Sequence, residues 1–290
     1  MDIALALAAA LLFALGTVLQ QRAGLEEPAT GPSSGLLIQM ARRPVWLAGI
    51  GADALGFGCQ AAALGFGRLA VVQPLLVASV VFALPLGARL TGQRVRRIDL
   101  CAALLVTAAL VAFLTIADPS GGRADAPLGE WLVAGAACVA VCVPLFLLGQ
   151  RGPAPRRAAF LGIATGVLFA LSAALTKAVV DELDDGVLTI FTTWHLYALV
   201  VGYASMTLNQ LALNTGALAP AVATSMAFDP ITSVVLGVTL LQESLDAGVG
   251  DILATLAALA AAGVGMAILS RQQSQPAQSV QADGSVPAST

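Results

Sequence analysis

Two carboxylates, Asp53 and Asp229, stand in the middle of long apolar stretches of this chain. An acid at the centre of a membrane helix costs roughly 2.5–3.5 kcal/mol on insertion scales. Such residues are functional hypotheses by default. Gln60 follows Asp53 by seven residues, so on a helix both lie along one stripe. His195, Gly202 and Asn209 repeat the spacing of seven later in the chain. Gln73 and Asn214 complete the set of candidate substrate-binding side chains. Amides and carboxylates of this kind can hydrogen-bond a polar solute. Their oxygens also suit a hard cation such as magnesium, which prefers oxygen ligands and sheds water reluctantly. Asp53 and Asp229 are the candidate metal ligands.

Each of these residues has a structural alternative. Asp229 can bond backbone groups freed by Pro230, and Asp53 can pair with His195. His195, next to Trp194, can be an interfacial packing residue. Lys177 can snorkel outward along its own stem. Cys138 and Cys142, one helical turn apart, have no His or acid beside them in sequence and read as small core residues. No HExxH, GxSxG or comparable catalytic constellation occurs, and the chain has one histidine. An enzyme is not expected, nor is a cofactor or a nucleic-acid partner.

The elements that must position these residues are membrane spans. Of 290 residues, 58% are hydrophobic and 11% charged, against about 25% charged in a soluble domain. Several stretches reach the length of about 20 residues that a helix needs to cross a bilayer. Nine spans are read: Ile3–Leu19, Val45–Leu64, Leu69–Leu90, Leu100–Ala117, Trp131–Gly149, Ala158–Val180, Ile190–Leu213, Ala217–Leu241 and Val249–Ser270. The N-terminus lacks the basic segment of a cleaved signal peptide and reads as the first span. The polar tail, 271–290, reads as disordered.

Eleven of the fourteen basic residues fall on one side of these spans, leaving Arg68, Arg123 and Lys177 on the other. The positive-inside rule then places the N-terminus outside and the tail in the cytoplasm, with the protein in the cell membrane. Acids show the opposite bias, which would raise the local concentration of cations at the outer face.

The chain also repeats itself. LLFALGTVLQQ at 11–21 is similar to VLFALSAALTK at 167–177. ALGFGRLAVVQP at 63–74 is similar to ALNTGALAPAVA at 212–223, and DLCAALLVTAALVAFL at 99–114 to DILATLAALAAAGVGM at 251–266. The order is kept and the offset stays near 150 residues. Spans 1–4 (1–117) therefore match spans 6–9 (158–270), with span 5 between them (118–157). An odd number of spans per offset inverts the second repeat, a plan common among alternating-access transporters. Gln60 and Asn209 become mates. Span 3 carries Pro74 and Pro85, and span 8 carries Pro220 and Pro230. Proline-interrupted spans at corresponding places in two halves point to a binding site.

These residues resemble the drug/metabolite transporter superfamily, EamA-like, whose members have ten helices from two inverted five-helix repeats or shortened versions of this. The nearest branch resembles the nine-span NIPA-type magnesium transporters. The match rests on Trp46, Gly49, Gly56, Gln60, Ala63, Phe66 and Pro74-Leu75, then on Gln210, Leu213-Asn214 and Ala217-Leu218, with Glu243 as an acid at the end of span 8. Phe57 stands where that branch has a glutamate. Gly16-Thr17 and Lys177 resemble the first helix of small multidrug resistance transporters, but Phe13 stands where the essential glutamate would be. The resemblance implies a transporter of a small solute or, alternatively, of magnesium. A non-transport membrane role stays open, as does a homodimer. The expectation is an all-α membrane bundle of about nine helices in two inverted four-to-five-helix repeats.

Overall fold

A computed structural model describes residues 1–25, 43–92, 95–117, 119–123, 125–182, 197–213, 215 and 217–245, with 257, 261 and 264. Nine helices run in chain order among these residues: α1 (Asp2–Leu25), α2 (Pro44–Phe66), α3 (Leu69–Leu76), α4 (Ala78–Leu90), α5 (Arg97–Ala117), α6 (Leu128–Gly149), α7 (Ala154–Glu182), α8 (Tyr197–Leu213) and α9 (Leu218–Thr239). Six stretches are long and apolar enough to cross a membrane: Asp2–Ala23, Pro44–Phe66, Leu69–Leu90, Leu128–Gly149, Ala154–Val180 and Pro220–Thr239. The chain is a helical membrane protein. The ninth expected span falls almost wholly outside the described residues, as do 190–196 of the seventh.

Local chemistry explains the ends. Asp2 in the first turn of α1 and Arg22 in its last complement the helix dipole. Pro44 opens α2, where a missing N–H is harmless. The third expected span is one continuous element in sequence but two helices in structure. Pro74 cannot donate to the carbonyl one turn back. The chain tightens after it, with Val77 N–H donating to Pro74 O at 3.1 Å, and α4 starts afresh at Ala78. Pro230, by contrast, is carried inside α9 without ending it.

The central helix is α7. Ala158, Ala164, Ala170, Ala174 and Ala178 along it are fully buried, and it packs on α2, α3, α6, α8 and α9. A second centre is α1, which packs on α2, α3 and α4. Small residues let these helices approach, as is usual where no hydrophobic force drives association in lipid. A Cβ on Gly166 would stand 2.6 Å from Ser225 O and 2.9 Å from Asp229 N, so α7 and α9 touch backbone to backbone. A Cβ on Gly49 would stand 3.0 Å from Gly16 O, which puts α1 and α2 in the same relation.

Large apolar side chains on the outside complete the picture. Leu132, Val133 and Leu147 of α6 and Leu104 of α5 are exposed, a surface that water would not tolerate and hydrocarbon does. Hydroxyls inside the spans turn back to their own helices: Thr165 donates to Leu161 O, Thr176 to Ser172 O and Ser205 to Val201 O. This satisfies groups that lipid cannot. A two-stranded antiparallel ribbon stands outside the all-helical expectation. Strand β1 (Pro119–Gly121) pairs with β2 (Glu243–Leu245), tying the loop after α5 to the loop after α9.

Candidate functional site

Five of the expected spans converge on one cavity of about 310 Å³. Helix α1 contributes Phe13 and Thr17, α2 Phe57 and Gln60, and α3 Gln73. Helix α7 contributes Phe169, Ser172 and Thr176, and α9 Met226, Asp229 and Pro230. The break at Val77 sits in the wall, between Leu76 and Ser79. Among the described residues the lining thus combines three aromatic rings with amides, hydroxyls and a single carboxylate.

The geometry of three residues defines its chemistry. Phe13 and Phe57 meet edge to face, ring centroids 5.0 Å apart. Gly56 makes this possible, since a Cβ there would stand 2.9 Å from the Phe13 ring. Gln73 is 3% exposed, yet its Nε2 has no hydrogen-bond partner among the described residues. A buried donor left unpaired costs about 1–3 kcal/mol. Asp229 Oδ1 accepts from Ser233 Oγ at 3.3 Å, one turn further along α9.

The sequence reading placed Asp53, Gln60, Asn209 and Asp229 in one shared site. The structure brings Gln60, Gln73, Asp229 and Pro230 to the cavity, but not Asp53 or Asn209. Asp53 lies instead between α2 and α1, where Gln20 Nε2 donates to its Oδ2 at 2.6 Å. Gly16 leaves the room for that carboxylate. Asp53 and Asp229 therefore have separate partners. Asn209 is half-buried on α8. His195 and Asn214 lie outside the described residues. Among the helix breaks, Pro74 is buried at the end of α3 and Pro85 is exposed on α4. Pro220 lies in the first turn of α9, away from the cavity lining. Among the described residues no group of three His, Cys, Asp or Glu could hold a metal ion. A larger groove of about 710 Å³, between α6 and α9, is walled by Val133, Val141 and Val235 and is mostly apolar.

A second polar cluster lies at the corner where α2 ends and α3 begins. Lys177, at the far end of α7, is buried rather than snorkelling. Its Nζ donates to Leu64 O at 2.9 Å and to Gly67 O at 2.6 Å, the orphan carbonyls at the end of α2. Glu243 is 2% exposed and caps the facing helix. Its Oε1 accepts from Leu69 N at 2.7 Å and its Oε2 from Ala70 N at 2.9 Å. A carboxylate at a helix N-terminus is favoured by the dipole. Burial nevertheless pushes the Glu243 carboxyl above its ordinary value, the two backbone bonds, Lys177 and Arg68 offsetting only part of that. Arg68 Nε donates to Gly121 O at 3.1 Å. Arg123 bonds Leu240 O at 2.7 Å and pairs with Glu130. The ribbon and the two caps thus bind this corner to α7 and to the end of α9.

Sequence reasoning missed these roles. Glu243 and Lys177 were visible as charges near span ends, but the backbone groups they cap come from helices more than 100 residues away in sequence. The signal available was the missing capping side chain at Arg68, the residue before α3.

No family model and no solved structure matches the chain. An uncharacterized protein of Corynebacterium glutamicum is 34% identical to it over 277 residues, which cover 94% of this chain and 96% of that relative. The chain therefore belongs to the same family as this corynebacterial protein.

Proposed function

We propose that the chain carries a small solute across the cell membrane by alternating access, through the cavity around Gln73 and Asp229. The observation that carries this reading is the composition of that cavity. Five spans, from both the first and the second half, supply polar side chains to one space of about 310 Å³ beside two proline-containing helices. Polar groups inside a bundle are costly and mark pathways, and such a site between halves is how repeat-built transporters bind substrate.

The packing pattern supports two related halves. Span 1 packs on spans 2 and 3, and span 6 packs in the same way on spans 7 and 8. With the N-terminus outside, the α2–α3 corner, the Lys177 and Glu243 caps and the ribbon all lie at the outer end, where they close the bundle. We read this arrangement as closed at the outer end, one of the two that alternating access requires. It agrees with the resemblance to drug/metabolite transporters. Magnesium is the weaker reading. The cavity presents one carboxylate among the described residues, and the second candidate ligand, Asp53, is engaged by Gln20.

The test is flux into liposomes containing the purified protein, screened over organic amines, neutral polar solutes and magnesium. Saturable uptake of one class supports the reading. Uptake equal to that of empty liposomes across the whole panel refutes it.

A further inference from the structure

We infer that the cavity selects a small apolar amine that also carries a neutral hydrogen-bond acceptor, its ammonium against Asp229 and its acceptor against the Gln73 amide. The inference rests on reading this cavity as a solute site.

Charge comes first. Among the described residues Asp229 is the cavity's one carboxylate, with a hydroxyl partner and no basic one. Two basic groups of the bundle's polar corner are committed elsewhere: Lys177 to the carbonyls ending α2, Arg123 to Leu240 O and Glu130. A ligand bearing its own positive charge supplies the missing partner. A ligand bearing a carboxylate meets Asp229 and no cation. A divalent ion would find too few oxygens with charge.

Gln73 fixes the second group. Its Nε2 is a donor buried beyond nine-tenths, unpaired, on a residue of the cavity wall. A buried donor of this kind discriminates strongly for a ligand that offers it an acceptor. Phe13, Phe57 and Phe169 fix the remainder. Their rings take an apolar body, and their faces favour a cation nearby. About 310 Å³ is at the small end of ligand pockets.

The experiment is calorimetric titration of the full-length protein in nanodiscs with L-phenylalaninamide, at a pH where its amine is protonated. Three comparators remove one feature each. 3-Phenylpropanamide lacks the ammonium, phenethylamine lacks the carbonyl, and phenylalanine carries a carboxylate in place of the amide. The expected order is phenylalaninamide first, with each comparator at least about tenfold weaker, since one good polar contact is worth about that much. Asp229→Asn should abolish the preference for phenylalaninamide over 3-phenylpropanamide. Gln73→Leu should weaken phenylalaninamide about tenfold, leave phenethylamine unchanged and raise thermal stability, because it removes an unpaired buried donor. A merely structural glutamine would lower stability instead. The wild-type comparison needs no variant, so misfolding of either substitution leaves the test intact. No binding of any probe, or equal binding of the charged and neutral amides, overturns the inference. Amine binding without flux of any solute refutes the transport reading and leaves the amine site standing. Flux of another solute without amine binding does the reverse.

Discussion

Glu243→Ala tests how the bundle is held closed at the α2–α3 corner. In the wild-type protein the carboxylate accepts two backbone N–H groups, from Leu69 at 2.7 Å and Ala70 at 2.9 Å. Both residues are fully buried. Truncation leaves two donors unpaired, at about 1–3 kcal/mol each. It also relieves the burial of a charge, which costs several kcal/mol by itself. The difference should resemble the loss of a strong helix cap, about 2 kcal/mol. That corresponds to about a thirtyfold change in the ratio of closed to open arrangements. The assay is labelling of a cysteine at Thr176, in the cavity wall one residue before Lys177, by a membrane-impermeant maleimide. The four native cysteines, all free thiols, are first replaced by serine or alanine. Labelling should be slow in the wild-type background and about ten- to thirtyfold faster with Glu243→Ala. Glu243→Gln keeps one acceptor and should fall between the two. An unchanged rate in a well-folded Glu243→Ala protein would refute the assignment of these bonds as the closure.

Three further outcomes follow from the same contacts. Burial raises the Glu243 carboxyl in this arrangement, whereas an open corner returns it to water and to the ordinary carboxylate range. Lys177 and Arg68 are the charges that face it. The closed form therefore binds the proton more tightly, so acidification from the raised value down toward the ordinary carboxylate range should slow labelling at Thr176; faster labelling would reverse the sign of this linkage. Gly166→Ala places a methyl 2.6 Å from Ser225 O. Overpacking costs about 1–3 kcal/mol, so the melting temperature should drop and amine binding should weaken as α9 and Asp229 shift. For topology, a cysteine at Ser244 should react with an impermeant reagent on intact cells and one at Gln150 should not; the opposite pattern would invert the orientation.

The spans were legible because hydrocarbon imposes length and composition on every crossing segment, and those are one-dimensional properties. Gln60, Gln73 and Asp229 were legible for a related reason: each is a polar residue too costly to face lipid, and each turns inward. Asp53 obeyed the same rule and misled, because cost says only that a polar group needs a partner. Its partner is Gln20 on the neighbouring helix, outside the cavity lining. The two caps were illegible for the opposite reason. Lys177 and Glu243 lie near span ends, where charges are inexpensive, so nothing local distinguished a buried cap from a solvated side chain. Pro74 and Pro230 looked alike in sequence. One ends its helix and the other does not, a difference that packing around each proline decides.

The central claim is that solute crosses the membrane through the cavity of Gln73 and Asp229. Counterflow in liposomes tests it most directly. Vesicles containing the protein are preloaded with unlabelled L-phenylalaninamide and diluted into a trace of the labelled compound. The account predicts transient accumulation of label above equilibrium, absent from empty vesicles and lost with Asp229→Asn. Label that enters no faster than into empty vesicles, or accumulation that survives Asp229→Asn and Gln73→Leu unchanged, would contradict it.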